Sequence, residues 1–277
     1  MHQNSLPFNP VERARFGWSR TRLRYHILEY LQKITFKKSA ATIYLTDYAK
    51  RLVEKRIGHR TNLDPVICHG VSAKFQCKAK RQYPPKHYSS SKPFRFLYIS
   101  IVNLYKHQWN IVEAIDRMRS RGYPISLDLV GPSNPTALKI LRKTLDKVDP
   151  REEFIRYHGK ISYNEIEKVY RESDSFVWAS SCEAFGMILL EAMSASLPIA
   201  CSSKSCSPEL LQSYGWYFDP EDISSIEKAL IALFENPKKR QEFIHATHSR
   251  AAEFTWDRCT KSTIEHLSAT LVSHPIQ

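Results

Sequence analysis

The chain has 277 residues with ordinary apolar, aromatic and charged fractions and a formal net charge of +13, a length that allows one large globular domain or two modest ones. No run of about 18 or more apolar residues is present to span a bilayer, and the opening "MHQNSLPFNPVERARF" lacks the basic-then-apolar layout of a secretory signal, so a cytoplasmic location is expected. Six cysteines without CxxC or zinc-type Cys/His spacing argue for reduced thiols and against a disulfide framework or a structural metal.

Apolar residues Leu23, Ile27, Tyr30, Leu31 and Ile34 recur at helical spacing, so residues 20–36 read as an amphipathic helix with a basic outer face. "ATIYLTDYAKRLVEKRIG" follows as a short β-branched strand, Thr46 or Asp47 as helix cap, a helix, and Gly58 as its stop. "DPVICHG" gives another short strand. The Pro-, Ser- and Lys-rich stretch 78–93 reads as connecting chain, with the domain boundary at residues 86–93.

Beyond it the rhythm is regular. "FRFLYIS", "ISLDLVG", "FIRYHG", "SFVWAS" and "LPIACS" read as strands, and helical stripes lie between them, such as Ile111, Ala114, Ile115 and Met118. Strands alternating with helices, several of the strands continuously apolar, predict a parallel sheet covered on both faces, a doubly wound α/β domain. Ligands of such sheets sit outside the carboxyl ends of the strands.

Much of the positive charge lies early: thirteen Lys/Arg against four Asp/Glu in residues 1–60, with Arg13, Arg15, Arg20, Arg22 and Arg24 clustered. Such a field attracts phosphate groups of any source. No helix-turn-helix, zinc-finger or aromatic RNA-binding signature is present, so nucleic acid is not expected. An anionic membrane surface needs no motif and remains a partner for a peripheral protein.

Only eight glycines occur, none in GxGxxG or a P-loop, and no Asp-x-Asp pair is available to bridge phosphates through a divalent ion. An anion site must therefore rest on helix N-termini and basic side chains. Three strand ends offer one. Lys106 stands just before a helix that begins near Gln108. His158-Gly159-Lys160 follows a strand, and Gly159 would let backbone approach a flat ligand.

The third is "SSCEAFGMILLEAM", with Glu183 in a loop and Glu191 on a helix beginning near Met187 and expected to be buried nearly all round. A solvated acid at each edge is the plain alternative. A buried Glu191, however, needs partners, and the amides of Gly186, Met187 and Ile188 favour an anion. The expected ligand carries both phosphate and polyol.

Glu183-Ala-Phe-Gly-Met-Ile-Leu-Leu-Glu191-Ala-Met resembles the E-x-F-G-x-x-x-x-E-A-M signature of the retaining glycosyltransferases of family 4, whose fold is the two-domain GT-B type. "YKHQWNIVEAI", "LVGP", "YHGKIS", "LPIACS", "PELL" and "YFDPEDISSIEKAL" fall in the family's order, and the resemblance covers residues of about 41 to 271. "HQNSLPFNPVERARF" is similar to a segment found midway through the acceptor half of one bacterial branch.

The resemblance implies one complete Rossmann-like donor domain (94–252), a partial N-terminal acceptor-side domain (1–85) and a C-terminal crossover helix and tail (253–277). It implies that Glu183 contacts the donor sugar, Glu191 the ribose and Lys106 the diphosphate. Phe185, Gly186, Met187 and Ile188 would line the sugar and phosphate site, and Glu209, which follows Pro208 as in the family, would join Ser100, Gly159 and Lys160 in binding the donor. The donor would be a nucleoside-diphosphate sugar, with no metal and no further cofactor. The acceptor would be a glycan or glycolipid hydroxyl, in the synthesis of surface polysaccharide or glycolipid.

Departures from the family are also legible. Ser100 stands where relatives carry an arginine, leaving Lys160 or Lys204 to compensate. The acceptor half is short, which predicts a fragment, a late start or one part of a split enzyme, with self-association or a partner chain completing that half. A catalytically inactive nucleotide-sugar-binding subunit is the alternative reading, and a GT-B epimerase a third that lacks an identifiable acid/base set.

Overall fold

The computed structural model describes residues 1, 3–59 and 64–273. Its N-terminal part is built from capped helices. In α1 (Pro10–Ala14) the cap is Asn9, whose side chain accepts the Glu12 amide. Ser19 does the same for α2 (Arg20–Lys38) and Thr46 for α3 (Asp47–Ile57), which Gly58 ends at φ +88°.

The helix expected over 20–36 forms, but with its faces reversed. Leu23, Ile27, Tyr30, Leu31 and Ile34 are exposed, while Glu29 is buried against Arg13, Lys33 and Arg56. Burial alone would raise the Glu29 carboxyl, but the bonds from Lys33, Arg13 and Arg56 overcome it and hold the group at about 2. The strands read in "ATIYL" and "DPVIC" shrink to one parallel bridge, Tyr44 with Val66, secured by Tyr44 N–H to Pro65 O (3.0 Å) and Ile67 N–H to Tyr44 O (2.8 Å).

The remaining strands form a six-stranded parallel sheet in the order β3-β2-β1-β4-β5-β6. They are β1 (Phe94–Ile99), β2 (Ile125–Val130), β3 (Ile155–Tyr157), β4 (Ser175–Trp178), β5 (Ile199–Ser202) and β6 (Trp216–Phe218). The connecting helices are α4 (Gln108–Ser120), α5 (Pro135–Val148), α6 (Tyr163–Glu172), α7 (Met187–Ser194) and α8 (Ser207–Leu211). They are followed by α9 (Ile223–Glu235), α10 (Pro237–Ala251) and α11 (Trp256–Ser273). Strands β1, β4 and β5 are continuously or almost continuously buried, as a sheet covered on both faces requires. The three-residue β6 and helices α9 and α10 were not among the elements read from periodicity.

The strand order reverses direction between β1 and β4, which places a crevice at their carboxyl ends. Residues 78–93 are fastened to the sheet domain. Lys80 Nζ reaches Ser173 O (3.0 Å), and the buried Arg240 binds Tyr83 O (2.5 Å), Gln82 Oε1 (2.9 Å) and Leu233 O (2.8 Å). A buried guanidinium needs such acceptors, so the stretch is not free chain. Helix α11 returns to the N-terminal part, where Cys259 packs with Ile43 and Ile67. Gly70 permits the crossing, because a Cβ there would lie 2.1 Å from Trp256 N. All six cysteines are free thiols, and no helix among the described residues is long and apolar enough to cross a membrane.

Candidate functional site

Lys106 ends a single 3-10 turn after β1, and His107 then takes a left-handed conformation (φ 50°) that turns the chain into α4. The Tyr98 hydroxyl donates to Lys106 O (2.5 Å) and accepts the Ala179 amide (3.2 Å), tying this turn to the end of β4. The Lys106 side chain is 4 % exposed, lies 5.6 Å from the centre of the Trp178 ring and is ion-paired with Glu183. Burial pushes its ammonium down to about 7. The Glu183 carboxylate opposes that loss of charge.

The loop that carries Glu183 is held on several sides. Ser180 Oγ donates to Glu183 Oε1 (2.9 Å), the Glu183 amide donates to Ser205 Oγ (2.7 Å), and Thr46 Oγ1 reaches Ala184 O (2.8 Å). Ser181 bonds the His107 ring (2.9 Å) and donates its amide to Tyr105 O (2.9 Å). Phe185 is buried beside His69, with ring centres 5.6 Å apart. Gly186 then caps α7 without a side-chain bond, so the first amides of that helix, at Met187 and Ile188, are not capped by it. A Cβ on Gly186 would stand 3.0 Å from Trp178, so this close approach is available to glycine.

Helix α7 is not buried all round. Met187, Ile188 and Glu191 share a half-buried face, while Leu189, Leu190, Ala192 and Met193 point into the core. Tyr170 donates to Glu191 Oε2 (3.0 Å) and to Ile188 O (3.2 Å). Burial raises the Glu191 carboxyl to about 7, against the Tyr170 hydrogen bond, which lowers it.

Ile188 also lines a cavity of about 280 Å3 with Ser100, Val130, Gly131, Lys160 and Tyr163 at the ends of β1 and β2. Gly131 (φ +139°) is required there, because a Cβ would meet Ser100 O at 2.1 Å. Gly159 adopts φ +65° with open space on its Cβ side, and its carbonyl accepts the Gly131 amide (2.8 Å). The buried Ser100 Oγ has no hydrogen-bond partner among the described residues.

The structure thus brings Lys106 and Glu183 into contact. Ser100, Lys160 and Ile188 surround one cavity, Gly159 adjoins it through Gly131, and Phe185, Gly186 and Met187 join the Glu183 loop to the face that carries Glu191. Glu209 goes elsewhere: its carboxylate accepts the Asp47 amide (2.8 Å) and the Tyr48 amide (2.9 Å) at the start of α3. Lys204 is paired with Asp219 (2.9 Å) and Glu221 (2.7 Å), so its charge is already engaged. Sequence reasoning missed Tyr98, Tyr170, Ser180 and Ser205. Tyr170 reads as one more residue of a helical stripe, and only the fold shows that its hydroxyl meets Glu191.

Chemically, a buried cation facing an acid, uncapped helix amides and a second acid beside an apolar slot can hold an anion together with hydroxyls. The parallel sheet and its crevice are those of the GT-B glycosyltransferase fold. The chain superposes on Anabaena HepE, solved in complex with UDP and glucose, with a TM-score of 0.76 at 16 % identity, covering 96 % of this chain and 70 % of that one. Against sucrose-phosphate synthase of Thermosynechococcus elongatus the TM-score is 0.74 at 16 % identity, covering 94 % of this chain and 64 % of that one. Identities this low speak for the fold alone.

Membership is carried by sequence: residues 79–250, more than half of the chain, match the glycosyl transferases group 1 family, and the chain belongs to it. Among curated relatives, O-antigen chain mannosyltransferase B of Escherichia coli is 32 % identical over 114 residues, covering 41 % of this chain and 30 % of that protein. Sulfoquinovosyl transferase SQD2 of Arabidopsis thaliana is 26 % identical over 121 residues, 42 % of this chain and 24 % of that protein. The matched part of the chain therefore spans less than a third of either relative.

Proposed function

We propose that the chain binds a nucleoside-diphosphate sugar and transfers the sugar to an acceptor hydroxyl with retention of configuration, as a transferase of the family 4 kind. The observation that carries this reading is the buried Lys106–Glu183 pair, set beside the uncapped start of α7 at the carboxyl end of the sheet. In this reading the diphosphate takes over Lys106 from Glu183 and the α7 amides bind its remaining oxygens. Glu183, released toward the sugar, accepts from its hydroxyls. Glu191 holds the ribose, Tyr170 orients Glu191, and the base lies in the slot formed by Ser100, Gly131, Gly159, Lys160 and Ile188.

Charge develops on the departing diphosphate during transfer, and preorganised donors aimed at it are the largest source of rate enhancement available to such a site. One cation with helix amides supplies that stabilisation without a divalent ion in this scheme. The leaving phosphate itself takes the acceptor's proton, so neither glutamate acts as a hydrolytic acid or base. The likeness to O-antigen chain mannosyltransferase B supports a role in surface polysaccharide synthesis, with a glycan or glycolipid as acceptor and work at the cytoplasmic face of the membrane.

The test is turnover. The release of nucleoside diphosphate from UDP-sugars and GDP-sugars is followed with a panel of glycan and glycolipid acceptors, for the native chain and for Glu183→Gln. Acceptor-dependent release that falls at least about a hundredfold in the variant, the scale of losing a transition-state contact worth about 3 kcal/mol, supports the proposal. Undiminished release in Glu183→Gln sinks it. Donor binding without release under any acceptor would favour the inactive subunit reading.

A further inference from the structure

The slot at the ends of β1 and β2 is lined mainly by apolar side chains, Ile99, Val130, Ile161, Ile166 and Ile188 among them. Tyr163, also in the lining, is pinned by Lys74, whose Nζ stands 2.9 Å from its ring centre and donates to its carbonyl (3.2 Å). Two polar residues interrupt this lining from opposite sides. Ser100 follows β1 and Lys160 follows β3, and the strand order β3-β2-β1 puts Gly131, after β2, between them. Neighbouring strands lie about 4.8 Å apart, so the two residues flank a gap of roughly 10 Å. Ser100 is 4 % exposed, and its hydroxyl has no hydrogen-bond partner among the described residues. Buried polar groups are ordinarily paired, so an unpaired one beside a cavity marks a place for a ligand. Lys160 is exposed, and no hydrogen bond or ion pair engages its ammonium among the described residues. Lys106 is paired with Glu183, and Lys204 with Asp219 and Glu221, so among the described residues Lys160 is the lysine at these strand ends whose charge is uncommitted.

We propose that Lys160 and Ser100 read the nucleobase of the donor and select guanine. The inference rests on the reading of this slot as the base site. Apolar walls accept any flat base, so the choice falls to the polar groups at the edges. Guanine carries O6 and N7 as adjacent acceptors, and a lysine ammonium, which has donors and no acceptor, bonds both. Adenine places its N6 amino donor beside N7, so the ammonium would meet hydrogen atoms. A uracil ring offers one carbonyl on that side, and a single ring spans less of the gap to Ser100. The opposite side of guanine bears the N2 amine, which adenine lacks and which donates to the unpaired Ser100 oxygen. One base therefore satisfies both groups together. The competing assignment gives Lys160 to the diphosphate, where its charge would strengthen every nucleoside diphosphate alike.

The test is calorimetric titration of GDP, UDP and ADP into the full chain and into Lys160→Met, Lys160→Arg and Ser100→Ala. The native chain is expected to bind GDP about tenfold or more tighter than UDP or ADP, the scale of one good two-point base contact. Lys160→Met should weaken GDP by about tenfold and UDP by less than about threefold, so that the preference collapses. Lys160→Arg, which keeps two donors for O6 and N7, should retain the preference. Ser100→Ala should weaken GDP by about threefold or more and leave the order of ADP and UDP unchanged. UDP or ADP binding as tightly as GDP to the native chain would overturn the proposal and leave the donor site standing. So would equal weakening of GDP and UDP in Lys160→Met, which would assign that cation to the diphosphate. Binding of none of the three at millimolar concentration would overturn the donor reading itself, and this inference with it.

Discussion

Lys106 and Glu191 are the two residues whose burial moves them toward neutrality from opposite directions, to about 7 in each case. Burial lowers Lys106 from its ordinary 10.5, so between about 7 and 10.5 the unfolded chain binds the proton that the folded one releases. In the proposed function a bound diphosphate would restore that charge. Donor affinity is therefore expected to fall as pH rises above about 7, with proton uptake measurable by calorimetry in buffers of different ionisation enthalpy. Lys106→Met should show neither effect.

Glu191 has the opposite sign. Its folded form keeps the proton between 4.5 and about 7, so its contribution to stability is present below 4.5 and lost as pH rises through about 7. Thermal melts of Glu191→Gln should lack this decline. A decline of equal slope in the variant would assign the pH dependence to another group.

At the scale of elements, the strands that could be read are those buried on both faces. The runs in β1, β2, β4 and β5 are long and apolar enough to stand out, and "FIRYHG" reduces to the three residues of β3. The three-residue β6 carries too short a pattern to separate from a turn. The stripe on α2 was legible as spacing, but spacing alone does not say which face meets protein, and the inward Glu29 depends on cations from α1 and α3 that only the fold assembles.

The same limit applies to Asp149, which reads as an ordinary acid in "DKVDP" yet is buried. Its carboxylate accepts the amides of Glu153 (2.9 Å), Phe154 (2.8 Å) and Ile155 (2.7 Å), and so carries the chain into β3. Asp149→Ala leaves those donors without their acceptor and should cost about 2–3 kcal/mol in denaturant unfolding. A loss below about 0.5 kcal/mol would show that water replaces the carboxylate.

For the whole molecule, the N-terminal part and the sheet domain are joined by polar clasps as much as by apolar contact. Glu209 caps α3, Thr46 Oγ1 donates to Ala184 O (2.8 Å), and Arg15 pairs with Glu221 at 2.8 Å. Glu209, expected at the donor site from its place after Pro208, is thus engaged in holding the two parts in register. Glu209→Ala should cost about 1 kcal/mol, the usual worth of a helix cap, and leave nucleotide affinity within about twofold, or under about 0.5 kcal/mol. A larger loss of affinity would return Glu209 to the donor site.

The chain-wide reading was legible because the E-x7-E stretch, the lysine after β1 and the glycine after β3 occur in one order along the sequence. Their convergence on a single crevice, and the roles of Tyr98 and Tyr170 in fixing it, required the fold. In the proposed function this crevice holds a nucleoside diphosphate through Lys106. Its most direct test is calorimetric titration of UDP and GDP into the native chain and into Lys106→Ala. Sub-millimolar binding of at least one nucleotide is expected, weakened about tenfold or more in the variant by loss of a charge-assisted bond worth about 1.5–3 kcal/mol. Absence of binding by either nucleotide at millimolar concentration, or equal binding by the variant, would contradict it.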